Sequence, residues 1–169
     1  MTLSMYQASI PGFILGFTNL SALLDKAAVF CEEKKIEQTV LVNARLAPDM
    51  LPLSRQVQIA SDIVRRGIAR IAGVEAPGID DKETTFAELK ARIDTTIAYL
   101  KSFKPAQIDG TEGNKVSLKV GGHDLSFTAQ DYLLKFVMPN LYFHETIAYA
   151  ILRHNGVAIG KMDFLGNIQ

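Results

Sequence analysis

One segment, residues 84–104, carries a helical signal strong enough to constrain the whole fold. Thr85 and Glu88 have the spacing of a capping box, in which each side chain binds the other residue's backbone N–H. The apolar residues that follow recur every three or four positions, at Phe86, Leu89, Ile93, Ile97 and Leu100. This pattern predicts an amphipathic helix that ends before Pro105. Such a helix must bury its apolar side, so other parts of the chain have to supply a matching face.

Three further segments have the spacing to supply that face. Apolar residues at helical intervals predict helices over about residues 4–33 and 52–72. Pro11 is expected to kink the first of these near its start. A last helix is expected over about residues 128–154, interrupted at Pro139. Four long helices in one chain of this length predict a helical bundle.

A β-hairpin is predicted ahead of the last helix. Residues 115–120 and 124–127 alternate apolar with polar side chains, and Gly121 and Gly122 lie between them as a two-residue turn. A lone hairpin is marginal in water, so this one is expected to lie against the helices. The sequence therefore predicts a mainly α fold, a four-helix bundle with a small hairpin before the last helix. We expect one domain over residues 1–169.

Charge and cysteine content narrow the function classes. Lysine plus arginine equals aspartate plus glutamate, at 18 each, so the chain lacks the basic excess typical of nucleic-acid binding. We therefore expect no nucleic-acid partner and interpret Arg65, Arg66 and Arg70 as part of a solvated surface. Cys31 is the sole cysteine, which excludes an intrachain disulfide, and we interpret it as structural.

The N-terminal part of the sequence argues against a membrane protein. Its first residues lack the basic cluster of a signal peptide. The apolar stretch over residues 10–24 is interrupted by polar residues, proline and glycine, and is too short to span a bilayer. We expect a cytoplasmic protein with no membrane contact.

Histidine spacing limits the metal chemistry that the chain could support. His144 and His154 are ten residues apart, which separates them by roughly 15 Å on one helix, so they cannot share a metal ion. His144 falls on the predicted core face, where a hydrogen-bonded imidazole is the simplest interpretation. His154 lies in a last helical turn, where a cation favours the helix dipole. His123 is expected to be exposed at the hairpin turn.

A small-ligand pocket is the alternative role for His144. On the second helix Gln58 and Asp62 are four residues apart and share a face, so one histidine and one carboxylate would give a weak metal site at most. Glu145 is about 100° around the helix from His144 and is not an easy co-ligand. The residues that we predict to line the pocket are His144, Gln58, Asp62, Tyr149, Tyr6 and Arg45.

At these positions the chain resembles a bacterial family of unknown function within the DinB/YfiT-like metalloenzyme superfamily. The resemblance covers almost the whole chain. It is carried by MYQASIPGF at residues 5–13, LVNARLAPDMLPLSRQVQIASD at 41–62, TTFAELKARI at 84–93 and NLYFHETIAYAILRHNGVAIGKMDFLG at 140–166. It implies the four-helix bundle that the helical spacing predicts independently.

The resemblance also implies where a metal site would lie. Metal-binding members place one histidine on the second helix and two, four residues apart, on the last. Here His144 matches the first of the last pair, Ala148 falls where the second would be, and Gln58, or by a slightly different alignment Gln56, replaces the second-helix histidine. Only His144 remains, as a weak metal candidate. The superfamily's bundles often pair, so we also expect a homodimer.

Two hypotheses of function stay open at this stage. In the first, the chain is a bundle without the three-histidine metal site that binds a small ligand near His144, with no cofactor. In the second, it is an enzyme of transferase or hydrolase type that uses a modified site around His144, with acid–base chemistry or a divalent metal such as zinc or nickel. The sequence names no reaction, and whether the chain is an enzyme stays undecided.

Overall fold

Four long helices form the bundle in the computed structural model, which describes residues 3–167. They are α1 (Met5–Lys34), α3 (Leu53–Ile71), α4 (Phe86–Lys101) and α7 (Met138–His154). Helix α3 packs against both α4 and α7, and α1 closes the other side against the same two helices. The predicted mainly α bundle is confirmed.

Four short helices lie outside the four long helices of the bundle. They are α2 (Gln38–Val42), α5 (Pro105–Ile108), α6 (Ala129–Tyr132) and α8 (Lys161–Leu165). None of them was predicted as a separate helix, because four or five residues are too few to show a helical repeat. Helices α2 and α5 continue the path of the chain between long helices, and α8 packs against α1.

Local signals set the helix ends much as predicted. Ser4 caps α1. Its hydroxyl accepts a hydrogen bond from the Gln7 backbone N–H, and the Gln7 side-chain oxygen accepts one from the Ser4 backbone N–H. Thr85 and Glu88 form the predicted capping box at the start of α4. Each box satisfies backbone N–H groups that a helix start leaves unpaired.

Helix α1 has the extent that its apolar spacing predicted, since it runs over Met5–Lys34 where residues 4–33 were expected. It runs for 30 residues, and its length and composition alone would allow it to cross a membrane. The prediction of no membrane span was made for the apolar stretch over residues 10–24, and it stays a prediction. The apolar residues of α1 instead enter the core of the bundle, among them Phe13, Phe17, Leu20 and Leu24, which are at most 2% exposed.

The predicted hairpin is present as strands β1 (Lys115–Val120) and β2 (His123–Thr128), paired antiparallel. Gly121 and Gly122 both have positive φ angles, 55° and 85°, which suits a tight two-residue turn and is costly for other residues. His123 is exposed next to this turn, as predicted.

The chain between the hairpin and α7 differs from prediction at Pro139. The helical path is not broken there. It passes from α6 through a π-helical turn, Leu133–Val137, directly into α7. Because proline lacks an N–H and crowds the preceding turn, a wider turn ahead of it keeps the helix continuous. The π turn also sets which side chains of this segment face α3.

Candidate functional site

His144 lies between α7 and α3, where it pairs with Gln56. The His144 Nδ1 atom is 2.7 Å from the Gln56 Oε1 atom. Gln56 Nε2 donates to the Leu51 carbonyl at 2.9 Å, so Gln56 Oε1 is left to accept. His144 Nδ1 therefore carries the proton, and its Nε2 keeps a lone pair. The imidazole is 9% exposed, and burial lowers its pKa, which favours the neutral form.

Glu145, the next residue, places a buried carboxyl group on α7. The sequence analysis assessed this residue only as a possible metal co-ligand of His144. It is 3% exposed, and its Oε1 atom has no hydrogen-bond partner. It occupies a notch at Gly16 of α1, where a Cβ atom would stand 2.6 Å from Oε1. Burial raises the pKa of Glu145 to about 8, so the group is mostly protonated at neutral pH.

Gln58 and Asp62 belong to a different place, on the side of α3 that faces α4. Gln58 Nε2 donates a hydrogen bond to Glu83 at 2.7 Å. Asp62 forms an ion pair with Arg92, with the two charged groups 2.8 Å apart. Gln56 and Gln58 are two positions apart, which is about 200° around a helix. One of the two therefore faces His144 and the other faces away from it.

Arg92 of α4 is the centre of this second region. Its side chain is 1% exposed and forms ion pairs with Asp62, Asp81 and Glu83 at 2.8, 3.0 and 2.9 Å. It also donates to the backbone carbonyl of Asp80 at 3.2 Å. Sequence analysis missed Arg92, since its position on the apolar side of α4 gives no sign that three carboxylates will surround it.

The remaining predicted pocket residues lie apart from both regions. Tyr6 binds Asp109 through its backbone N–H, at 2.8 Å. Arg45 is exposed and donates to the Met50 carbonyl. The Tyr149 ring meets Phe164 edge to face, with centroids 5.9 Å apart. The structure therefore does not gather the six predicted residues into one pocket around His144; their contacts depend on side-chain directions that helix spacing alone does not fix.

A cleft of about 360 Å³ lies along the outer side of α3, and two of the predicted residues, Gln58 and Asp62, line it. The α3 residues of this cleft recur at helical spacing and include three arginines. Opposite them are Asp81 of the loop before α4, Leu118 of β1, Tyr132 of α6 and Phe136 of the π turn. The α3 residues that line it are Arg55, Gln58, Ile59, Asp62, Ile63, Arg66 and Arg70. We call this the α3 cleft.

Comparisons with known proteins place the chain in a family. Residues 5–165 match the family described as Domain of unknown function (DUF1993). The chain belongs to the DUF1993 family. It is also similar to a DinB family member protein from Shewanella denitrificans, known from a crystal structure, with 42% identity and a TM-score of 0.87. That similarity covers 97% of this chain and 93% of the other. No curated protein matches this chain.

The residues of this DUF1993 member do not fit the three-histidine metal site that the superfamily implies. Gln56, a neutral amide, takes the place opposite His144, and Ala148 is fully buried four residues further along α7. His123 and His154 are both exposed, away from this pair. Within residues 3–167 no three or more histidine, cysteine, aspartate or glutamate side chains are grouped to hold a metal ion. His144 thus has a hydrogen-bond partner rather than co-ligands.

The buried Glu145 predicts a specific pH dependence of stability. Its folded pKa is raised, so the folded chain keeps a proton that the unfolded chain loses above its ordinary value of 4.5. The free energy of unfolding of the wild type should therefore fall, relative to Glu145→Gln, by roughly 1.4 kcal/mol per pH unit, until about pH 8. Urea denaturation from pH 4 to 9 measures both curves.

The matched control for this experiment is Glu32→Gln, which changes an exposed carboxyl group near the end of the same bundle's α1. We expect its stability curve to run parallel to that of the wild type. If the Glu145→Gln curve also runs parallel to the wild type between pH 5 and 8, Glu145 is ionised in the folded protein and our account of the notch at Gly16 is wrong.

Proposed function

We propose that this protein is a metal-independent, small-molecule-binding bundle whose ligand lies in the α3 cleft. The observation that carries the proposal is the cleft itself, in which three arginines, two carboxylates and four apolar side chains converge on about 360 Å³. That volume lies in the range of small-ligand sites, and the cleft sets charged groups beside apolar side chains, which suits a ligand that carries both. The sequence predicted a ligand near His144, whereas the ligand proposed here lies beside Gln58 and Asp62.

A second candidate, acid–base catalysis at His144, is supported by the state of its ring. A neutral imidazole whose Nδ1 proton is held by Gln56 presents Nε2 as a base. Such an enzyme would be of transferase or hydrolase type and would need either no cofactor or a divalent metal such as zinc or nickel. It ranks second because the α3 cleft, not His144, offers the volume for a ligand.

An NMR titration tests where a small molecule binds. We would titrate the uniformly ¹⁵N-labelled protein with benzoate, benzamide and benzamidinium, three probes that share a ring and differ in charge. The proposal predicts saturable amide shifts for at least one probe, centred on Ile59, Ile63, Leu118 and Phe136. Shifts centred on Gln56 and His144 would favour the second candidate, and no saturable shift from any probe would contradict ligand binding in the cleft.

We further propose that the chain acts as one cytoplasmic domain and pairs as a homodimer. The adjacent Tyr142 and Phe143 on α7 support pairing, since they are 44% and 55% exposed and could be covered by a second copy. Light scattering after size-exclusion chromatography should then give about twice the chain mass of 18.6 kDa. A mass near that of one chain at micromolar concentration would reject the dimer.

A further inference from the structure

We infer that the α3 cleft selects organic anions, namely a carboxylate or phosphate group carried on a flat apolar ring. This inference rests on the proposed function and specifies the chemical class of its ligand. It depends on three features of the cleft, which are its local charge, the donors left on its arginines and the aromatic wall that faces them.

The charge around the cleft is positive although the chain as a whole is neutral. The charged side chains that line the cleft are three arginines and two carboxylates, which leaves one positive charge. Such an excess, held beside apolar walls, attracts anions and repels cations. The arginines are Arg55, Arg66 and Arg70, and the carboxylates are Asp62 and Asp81.

Two of these arginines retain hydrogen-bond donors for a ligand. Arg66 uses its NH2 group in a 2.9 Å ion pair with Asp62, and its side chain is 55% exposed. Arg70 donates through NH1 to the Tyr132 hydroxyl at 3.1 Å, and no carboxylate among residues 3–167 lies within ion-pair distance of it. A guanidinium has five N–H donors in a planar fork that matches a carboxylate or phosphate. Tyr132 therefore positions the Arg70 guanidinium, which keeps N–H donors that no ion pair occupies.

Arg66 and Arg70 also lie between the α3 cleft and a second cavity. A second cavity of about 330 Å³, lined by Val74, Glu75 and Ala76, shares Arg66 and Arg70 with the α3 cleft. An anionic group bound to this pair would thus lie at a junction, with the rest of the ligand directed into the apolar part of the α3 cleft.

That apolar part favours a flat ring. Tyr132 and Phe136 are stacked, with centroids 5.4 Å apart and planes 16° from parallel. Tyr132 is 1% exposed whereas Phe136 is half-buried, so Phe136 supplies the accessible surface. Ile59 and Ile63 of α3 are half-buried across from it. Aromatic side chains held in this way favour offset stacking of a further ring.

The experiment compares affinities for benzoate, benzamide and benzamidinium by NMR titration, with phenyl phosphate as a second anion. We expect benzoate and phenyl phosphate to bind at least about tenfold more tightly than benzamide, and benzamidinium to bind most weakly. Arg70→Gln should remove most of the preference for anions. The matched control, Arg153→Gln, changes an exposed arginine in the last turn of α7 and should leave all four affinities unchanged.

A second variant separates the ring from the charge. Phe136→Ala should weaken all four probes by a similar factor and leave their order intact. Equal affinities for benzoate and benzamide in the wild type, or an unchanged preference in a folded Arg70→Gln protein, would overturn the inference while leaving ligand binding in place. Absence of binding by every probe would overturn the proposed function together with it.

Discussion

The buried guanidinium of Arg92 holds together the side of the bundle on which the α3 cleft depends. It joins α4 to Asp62 of α3, and it fixes the loop before α4 through Asp81 and Glu83. Removing it would leave Glu83 without an ion-pair partner, while Asp62 and Asp81 would keep their pairs with Arg66 and Arg55. The Thr85 capping box then begins α4 directly after that loop. Asp81 lines the α3 cleft and is paired with Arg92, so the position of Arg92 helps to set the shape of the cleft.

Helix α3 presents different polar chemistry on its two sides. On one side Gln56 accepts a hydrogen bond from His144 in the bundle interior. On the other side an arginine-rich stripe meets the hairpin and the π turn. The interior of α7 also holds Glu145, which is accommodated in protonated form beside Gly16. Ionising a buried carboxyl group that has no partner is costly, so Glu145 should lower the free energy of unfolding as the pH rises above neutral.

Local sequence signals predicted the long helices, their caps and the hairpin, because capping boxes, apolar periodicity and the Gly121–Gly122 turn act over a few residues. They did not predict the π turn, which arises from how the chain accommodates Pro139 while packing on α3. The choice between Gln56 and Gln58 as the partner of His144 depends on the rotation of α3 against α7, which is a property of tertiary packing. The interpretation of Arg65, Arg66 and Arg70 as solvated surface is wrong for Arg65, whose side chain is 2% exposed. It is incomplete for Arg66 and Arg70, because the sequence does not show that Phe136 and Leu118 line the same cleft.

The metal content of the purified protein tests the central claim, that this bundle is organised by hydrogen bonds and ion pairs among its own side chains in place of a metal centre. Elemental analysis would be performed on untagged protein prepared without chelators, with His144→Ala as the paired sample. We predict no stoichiometric metal in either protein. About one zinc or nickel ion per chain in the wild type, lost in His144→Ala, would contradict the account and would mean that His144 is a ligand completed by groups other than Gln56.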